Sequence, residues 1–266
     1  MEYELYHVPK VQQGCPVMKV KFLVCAFALS VSATASHAAV LYNNGPVVDS
    51  SGRSILAAPS TTFGFGAQTT SNNTVADNFS VTGASWNVSS LDFYSYQSLA
   101  NGFTFTDAKW SIVAGSNVNT GTTVVSGTTS VTNAGLLGYR VTSTTLTNQD
   151  RAIYRLNADI PDFVLSAGNY FITWSLAGTG TSGPWVPPVV GSLGTGNALQ
   201  SLGGAVFNAA QDSGSNQSYD MPFSINGTIG SSAVPEPTTW AMMIAGSGLI
   251  GASMRYRRRF PKMVTA

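Results

Sequence analysis

The sequence predicts an all-β fold: an antiparallel β-sandwich, jelly-roll-like, flanked by an N-terminal signal peptide and one short C-terminal transmembrane helix. Three observations carry that expectation. Only 9% of residues are charged, against about a quarter in ordinary globular chains. Gly, Ser, Thr and Asn take their place among β-branched and aromatic residues, a mixture that suits short strands and polar turns better than helices. Several stretches between residues 75 and 226 alternate apolar and polar with the period of a half-buried strand, and no window of useful length keeps a helical period.

Residues 1–17 fit no recognisable element; they are read as a mis-assigned start or an extended basic-region leader, since Met18-Lys19 offers a second start. Residues 18–38 have the three parts of a secretory signal peptide. Lys19 and Lys21 supply the basic region, Phe22 to Val31 the apolar core, and Ser36-His37-Ala38 the small-x-small cleavage signal, which places the cut between Ala38 and Ala39. The apolar core is about ten residues, half of the roughly 20 that a spanning helix needs.

The exported segment, 39–231, then reads as short strands. Leu91, Phe93 and Ser95 face away from Tyr94 and Tyr96, and Trp110, Ile112 and Ala114 share one face of another strand. Further strands are expected at Val75–Val81, Thr122–Val125, Tyr139–Thr144, Ala152–Ala158, Asn169–Leu176, Ala205–Phe207 and Pro222–Ile225. Pro161 is expected in a turn between Asp159 and Asp162. Trp86, Trp110 and Trp174 fall in strand patterns and are expected in the core.

The residue inventory of this segment removes much enzyme chemistry. Cys15, Cys25, His7 and His37 all precede the cut, which leaves no thiol nucleophile, no Ser-His-Asp triad and no His-ligated zinc. Glu2 and Glu4 precede it as well, and Glu236 belongs to the tail. Nine aspartates (49, 77, 92, 107, 150, 159, 162, 212 and 220) face five bases, Arg53, Lys109, Arg140, Arg151 and Arg155. A mildly acidic, weakly charged surface does not suit nucleic acid. Paired carboxylates could hydrolyse a glycoside, with Asp159 and Asp162 nearest in sequence. No catalytic residue and no metal ligand is assigned; a structural calcium is the one ion that Asp, Asn and carbonyl oxygens would suit.

Trp185, inside Gly183-Pro184-Trp185-Val186-Pro187-Pro188, is the candidate ligand contact. A ring held between prolines is stiff and suits stacking on a sugar. The simpler reading is that Trp185 caps one end of the core.

The tail, 232–260, contains Pro235-Glu236-Pro237, an apolar run from Trp240 to Met254 inside an expected transmembrane span of 238–254, and a basic end at 255–259 with Arg255, Arg257, Arg258 and Arg259. Trp240 suits one membrane interface, and the arginines suit the cytoplasmic side. This order of parts closely resembles the PEP-CTERM sorting signal, also called the ice-binding protein C-terminal domain, a name that here marks sorting and not ice binding. The resemblance implies a Gram-negative bacterium in which an exosortase recognises the tail after secretion. It implies an inner-membrane intermediate that ends at the cell surface or in the extracellular matrix. VADNFSVTGASWNVSSLDFYSYQ, AKWSIVAG, RAIYRLNADI, LSAGNYFITWSLAG and SGPWVPPVVGSLGTGNALQ resemble the extracellular β-sandwich of such cargo proteins, in which two acids often precede the Phe; here Asp77 is followed by Asn78. The expected role is therefore a non-enzymatic surface or matrix protein associated with exopolysaccharide or biofilm. A carbohydrate-binding module using Trp185 is the alternative, and an Asp-only glycoside hydrolase the more distant one.

Overall fold

The structure, a computed structural model, describes residues 38–230 and 237–257. The expectations for residues 1–17, for the signal peptide up to His37, and for Pro235, Glu236, Arg258 and Arg259 lie outside the described residues.

Alternation becomes strand wherever one face can be buried. Thr74–Val81 turns Val75, Asp77, Phe79 and Val81 to the interior and leaves Asn78 and Ser80 exposed. In Trp86–Ser95 the buried phase changes from Trp86 and Val88 to Leu91 and Phe93. A register shift between Val88 and Ser90 accounts for the change, because one extra residue in a bulge moves every later side chain to the other face. In chain order the described strands are β1 (Ala39–Asn43), β2 (Arg53–Leu56), β3 (Phe65–Gly66), β4 (Thr74–Val81), β5 (Trp86–Ser95), β6 (Phe105–Ala114), β7 (Thr122–Thr142), β8 (Ala152–Leu165), β9 (Gly168–Gly178), β10 (Trp185–Val186), β11 (Leu199–Ser201), β12 (Asn208–Ala209) and β13 (Phe223–Ile229).

Eleven of them form one curled sheet in the order β1-β13-β5-β8-β7-β6-β9-β4-β11-β12, with β2 added on β7. Its pairings are antiparallel except β2 on β7, which is parallel. Strand β7 closes the curl. Its first part, Thr122–Ser130, pairs with β6 and its second, from Val131, with β8. The two halves of the sheet therefore face one another and bury a shared core. Across it Phe93 of β5 stacks on Trp174 of β9 at 5.5 Å, and Trp110 of β6 stacks on Phe163 of β8 at 6.1 Å. Trp86, Trp110 and Trp174 are all buried, as the alternation predicts.

Three local expectations change. Thr122–Val125 and the first four residues of Tyr139–Thr144 are parts of one 21-residue strand, which ends at Thr142 with Ser143 and Thr144 in the turn that follows. The glycines between them act as irregularities within the ladder, with register shifts around Leu136 and Gly135 at φ 123°. Pro161 lies inside β8 and not in a turn. The pairing with β5 skips from Asp159 to Phe163, and the β7 ladder ends at Ala158. A residue without an N–H is tolerated at such a bulge beside an open edge. Ala205–Phe207 is not strand; the short β12 follows it.

After β13 the described tail is a helix, α1 (Pro237–Arg257). Proline suits a first helical position, where its missing N–H has no partner to lose. The helix covers the expected span 238–254, yet among the described residues no helix is long and apolar enough to cross a membrane. This corrects the expected transmembrane helix. Its 21 residues would reach about 31 Å at 1.5 Å each, so apolarity is what it lacks. Thr238, Thr239, Gly246, Ser247, Gly248, Gly251 and Ser253 dilute the Met, Ile and Leu residues. Met242, Met243, Ile244, Leu249 and Met254 are each more than half exposed.

Candidate functional site

Trp185 is placed by its main chain. Strand β10 pairs with β3, and on its other side Trp185 N–H donates to the Tyr96 carbonyl at 2.9 Å while Tyr96 N–H donates to the Trp185 carbonyl at 3.0 Å. Ser95 Oγ adds a third bond to that carbonyl at 2.8 Å. The indole is half-buried. It packs against a small cluster formed by Val47, Tyr94, Tyr96 and Ile153, and its Nε1–H donates to Ser182 Oγ at 3.3 Å. The residue thus combines features of both sequence readings, covering a satellite core while lining an open pocket of about 340 Å³.

Arg151 and Phe63 line the same pocket. The Arg151 guanidinium carbon sits 4.1 Å from the centre of the Phe63 ring, a cation–π contact. Ser98 and Ser182 contribute hydroxyls to the same pocket. An aromatic face, a flat cation and hydroxyls are the donors and surfaces with which a protein holds a sugar bearing an acidic group.

The segment carrying Phe63 is clamped from two sides. Asp212 Oδ1 accepts the N–H groups of Thr61 and Thr62, both at 2.8 Å. Its Oδ2 accepts Gly214 N–H, Ser215 N–H and the Ser215 hydroxyl. These bonds favour the carboxylate so strongly that, despite burial, the Asp212 carboxyl is held well below the usual range. On the other side Arg140 Nε donates to the Phe63 carbonyl at 2.7 Å and Nη2 to the Thr62 carbonyl at 2.9 Å. Three of the five bases of the exported segment, Arg53, Arg140 and Arg151, thereby gather on this end of the fold. Arg140 and Arg53 line a cavity of about 220 Å³ beside β2.

Asp77, singled out in the sequence by its place before Asn78, is a scaffold residue. It is 1% exposed and accepts Asn44 Nδ2 at 2.7 Å, Met221 N–H at 2.8 Å and Asn78 N–H at 2.7 Å. Burial pushes its carboxyl up to about 7, the N–H donors acting in the opposite sense. Asp159 and Asp162 are both exposed on β8, and neither lines the Trp185 pocket or the Arg140 cavity. Among the described residues no group of three or more His, Cys, Asp or Glu could hold a metal ion.

Of the sorting residues, Pro237, Trp240, Arg255 and Arg257 fall within α1, with Pro237 and Arg257 as its first and last residues, and the Arg255 side chain is exposed. The arginines at 53, 140 and 151 were not legible as a group in the sequence. Their scarcity was the one signal, because a chain with few bases has few to scatter.

The fold and tail define a protein with an all-β domain followed by a separate address segment. A family model described as the PEP-CTERM protein-sorting motif matches residues 233–259, which takes in the Pro-Glu-Pro triplet, Trp240 and the arginine cluster. The chain thus bears a PEP-CTERM sorting motif, and the motif implies an exported protein that a membrane-associated exosortase sorts toward the cell surface. No curated protein matches the chain.

Proposed function

We propose that this is a surface or matrix protein whose β-domain binds extracellular polysaccharide without chemically altering it. The observation that carries the reading is the half-buried Trp185 ring, fixed by main-chain bonds on both edges, beside an Arg151 guanidinium laid on Phe63. Such a surface is organised in advance, so little ordering cost is set against the binding energy. The lack of histidine, cysteine and glutamate in the exported segment supports a binding role over a catalytic one. The tail acts before this, during sorting. The exposed Met242, Met243, Ile244, Leu249 and Met254 side chains offer an apolar surface to the membrane-associated exosortase while the chain is processed.

The test is pull-down of the full chain, purified in mild detergent, on the producing cell's own exopolysaccharide and on a panel of neutral and acidic glycans. Saturable binding that weakens at least tenfold in Trp185→Ala is expected. Binding to no glycan, or equal binding by Trp185→Ala, rejects the reading, and turnover of any glycan rejects the non-enzymatic part.

A further inference from the structure

Arg140 is a buried charge without a counter-charge. It is 2% exposed, and its guanidinium has five N–H groups to satisfy. Its bonds go to the Phe63 carbonyl, the Thr62 carbonyl and Ser54 Oγ at 3.1 Å, none of them a carboxylate. The charged or titratable groups that act on it are Tyr96, Tyr219 and Arg151. Tyr96 is held neutral by burial, its hydroxyl raised well above the ordinary range, and Arg151 is itself a cation. Removing a guanidinium from water without an acid beside it costs several kcal/mol. Its planar fork is suited to a carboxylate or phosphate, with which an arginine makes its strongest hydrogen bonds.

A cavity lies beside Arg140. Arg53, half-buried, lines it as well. Among the described residues no hydrogen-bond partner takes its guanidinium. Tyr219 reaches the same cavity, and its hydroxyl donates to Ser60 Oγ. Ile55, Val189 and Val190 add apolar wall. Asp49 is the one acid there, and its Oδ1 accepts the N–H groups of Ser51 and Arg53; no ion pair joins it to either arginine. At about 220 Å³ the space is smaller than the roughly 300 Å³ at which pockets for drug-sized ligands begin. It holds one small group and no sugar chain.

We infer that this cavity is an oxyanion site, built to take a single carboxylate, sulfate or phosphate group between Arg140 and Arg53. The site is separate from the Trp185 pocket and does not depend on what that pocket binds. Arginine stays charged throughout the physiological range, so binding is flat between pH 6 and 9 for anions whose own charge is constant, and it weakens as chloride rises.

The full chain in mild detergent is titrated with glucuronate, sulfate and phosphate, with glucose as the neutral control, by calorimetry and by thermal shift. A saturable response to at least one oxyanion and none to glucose is expected. It weakens at least fivefold in Arg53→Gln and is lost in Arg140→Gln, and for sulfate and phosphate, which offer Trp185 no sugar ring, it is unchanged in Trp185→Ala. A response to glucuronate alone that survives Trp185→Ala and weakens in Arg53→Gln identifies a carboxylate, as on an acidic sugar; a response to sulfate or phosphate alone identifies a tetrahedral group. Should Arg140→Gln fail to fold, Arg53→Gln decides. No saturable response to any oxyanion, an equal response to glucose, or full binding by Arg53→Gln overturns the inference.

Discussion

Asp77, in the middle of β4, accepts the main-chain N–H of Met221 at 2.8 Å across 144 residues of sequence. With Asn44 donating to the same oxygen at 2.7 Å, this carboxyl ties the segments next to β1 and β13 to the opposite half of the sheet. Two consequences for stability follow from it and from Asp212.

The first is a stability maximum near pH 4. The Asp77 carboxyl lies at about 7 when folded and near 3.8 when unfolded, so the folded chain binds the proton more tightly. Its contribution is complete below about pH 3.8 and is lost as pH rises through about 7. Asp212 is shifted the other way. Its contribution is complete above about pH 3.8 and is lost as pH falls toward its depressed folded value. Urea midpoints measured from pH 2 to 9 should therefore peak near pH 4. Asp77→Asn should flatten the limb between pH 4 and 7 and leave the acid limb in place; a variant that keeps the neutral slope would assign that slope elsewhere.

Asp212→Ala should destabilise the fold by about 3 kcal/mol at pH 7, because the donors at Thr61, Thr62, Gly214 and Ser215 lose a charged acceptor. The same change loosens the segment that carries Phe63, so amide exchange at residues 61–64 should quicken more than at β5. Equal exchange in the two regions would show that Asp212 does not hold that segment.

Trp174 is completely buried, and its indole Nε1 has no hydrogen-bond partner in the described structure. Trp174→Phe removes a buried donor that costs about 1–3 kcal/mol while keeping an aromatic ring against Phe93 and Phe223. Its net effect should stay under about 1.5 kcal/mol, whereas Trp174→Ala should cost about 3–5 kcal/mol. Thermal denaturation of both variants checks the contrast; equal losses would show that the ring contacts contribute nothing beyond the indole's volume.

Replacing Pro235 and Glu236 by alanine, or removing residues 233–259, should abolish sorting and leave the β-domain folded, since the described sheet ends at Ile229. Cell fractionation and proteolysis of the retained protein separate these outcomes. Loss of the folded domain in the alanine variant would mean that the triplet serves the fold as well as the address.

Much of the architecture is written locally. In β9, Tyr170, Ile172, Trp174 and Leu176 alternate into one core, and this short local stretch suffices to read that period. The tail is also local, a run of residue types recognised in order by another protein. Tyr139–Thr144 reads as a separate strand because glycines interrupt the pattern, and only the partners β6 and β8 carry the chain across them as β7. Pro161 reads as a turn for the same reason, since the bulge opposite β5 is a property of two strands and not of one.

The sequence by itself determined the all-β class, the buried tryptophans, the sorting motif and the absence of histidine and cysteine from the exported segment, because each is a matter of residue type and short-range period. The tertiary structure alone decided which bases meet. Arg140 reaches Ser54 from 86 residues away and Phe63 from 77, through a parallel pairing of β2 on β7 that no alternation announces. It also decided the setting of Trp185, whose half-buried ring depends on Tyr96, Phe63 and Arg151 arriving from three distant parts of the chain. Contacts of that kind are fixed by the closing of a sheet, and their energy belongs to pairs of residues that no single stretch of sequence contains.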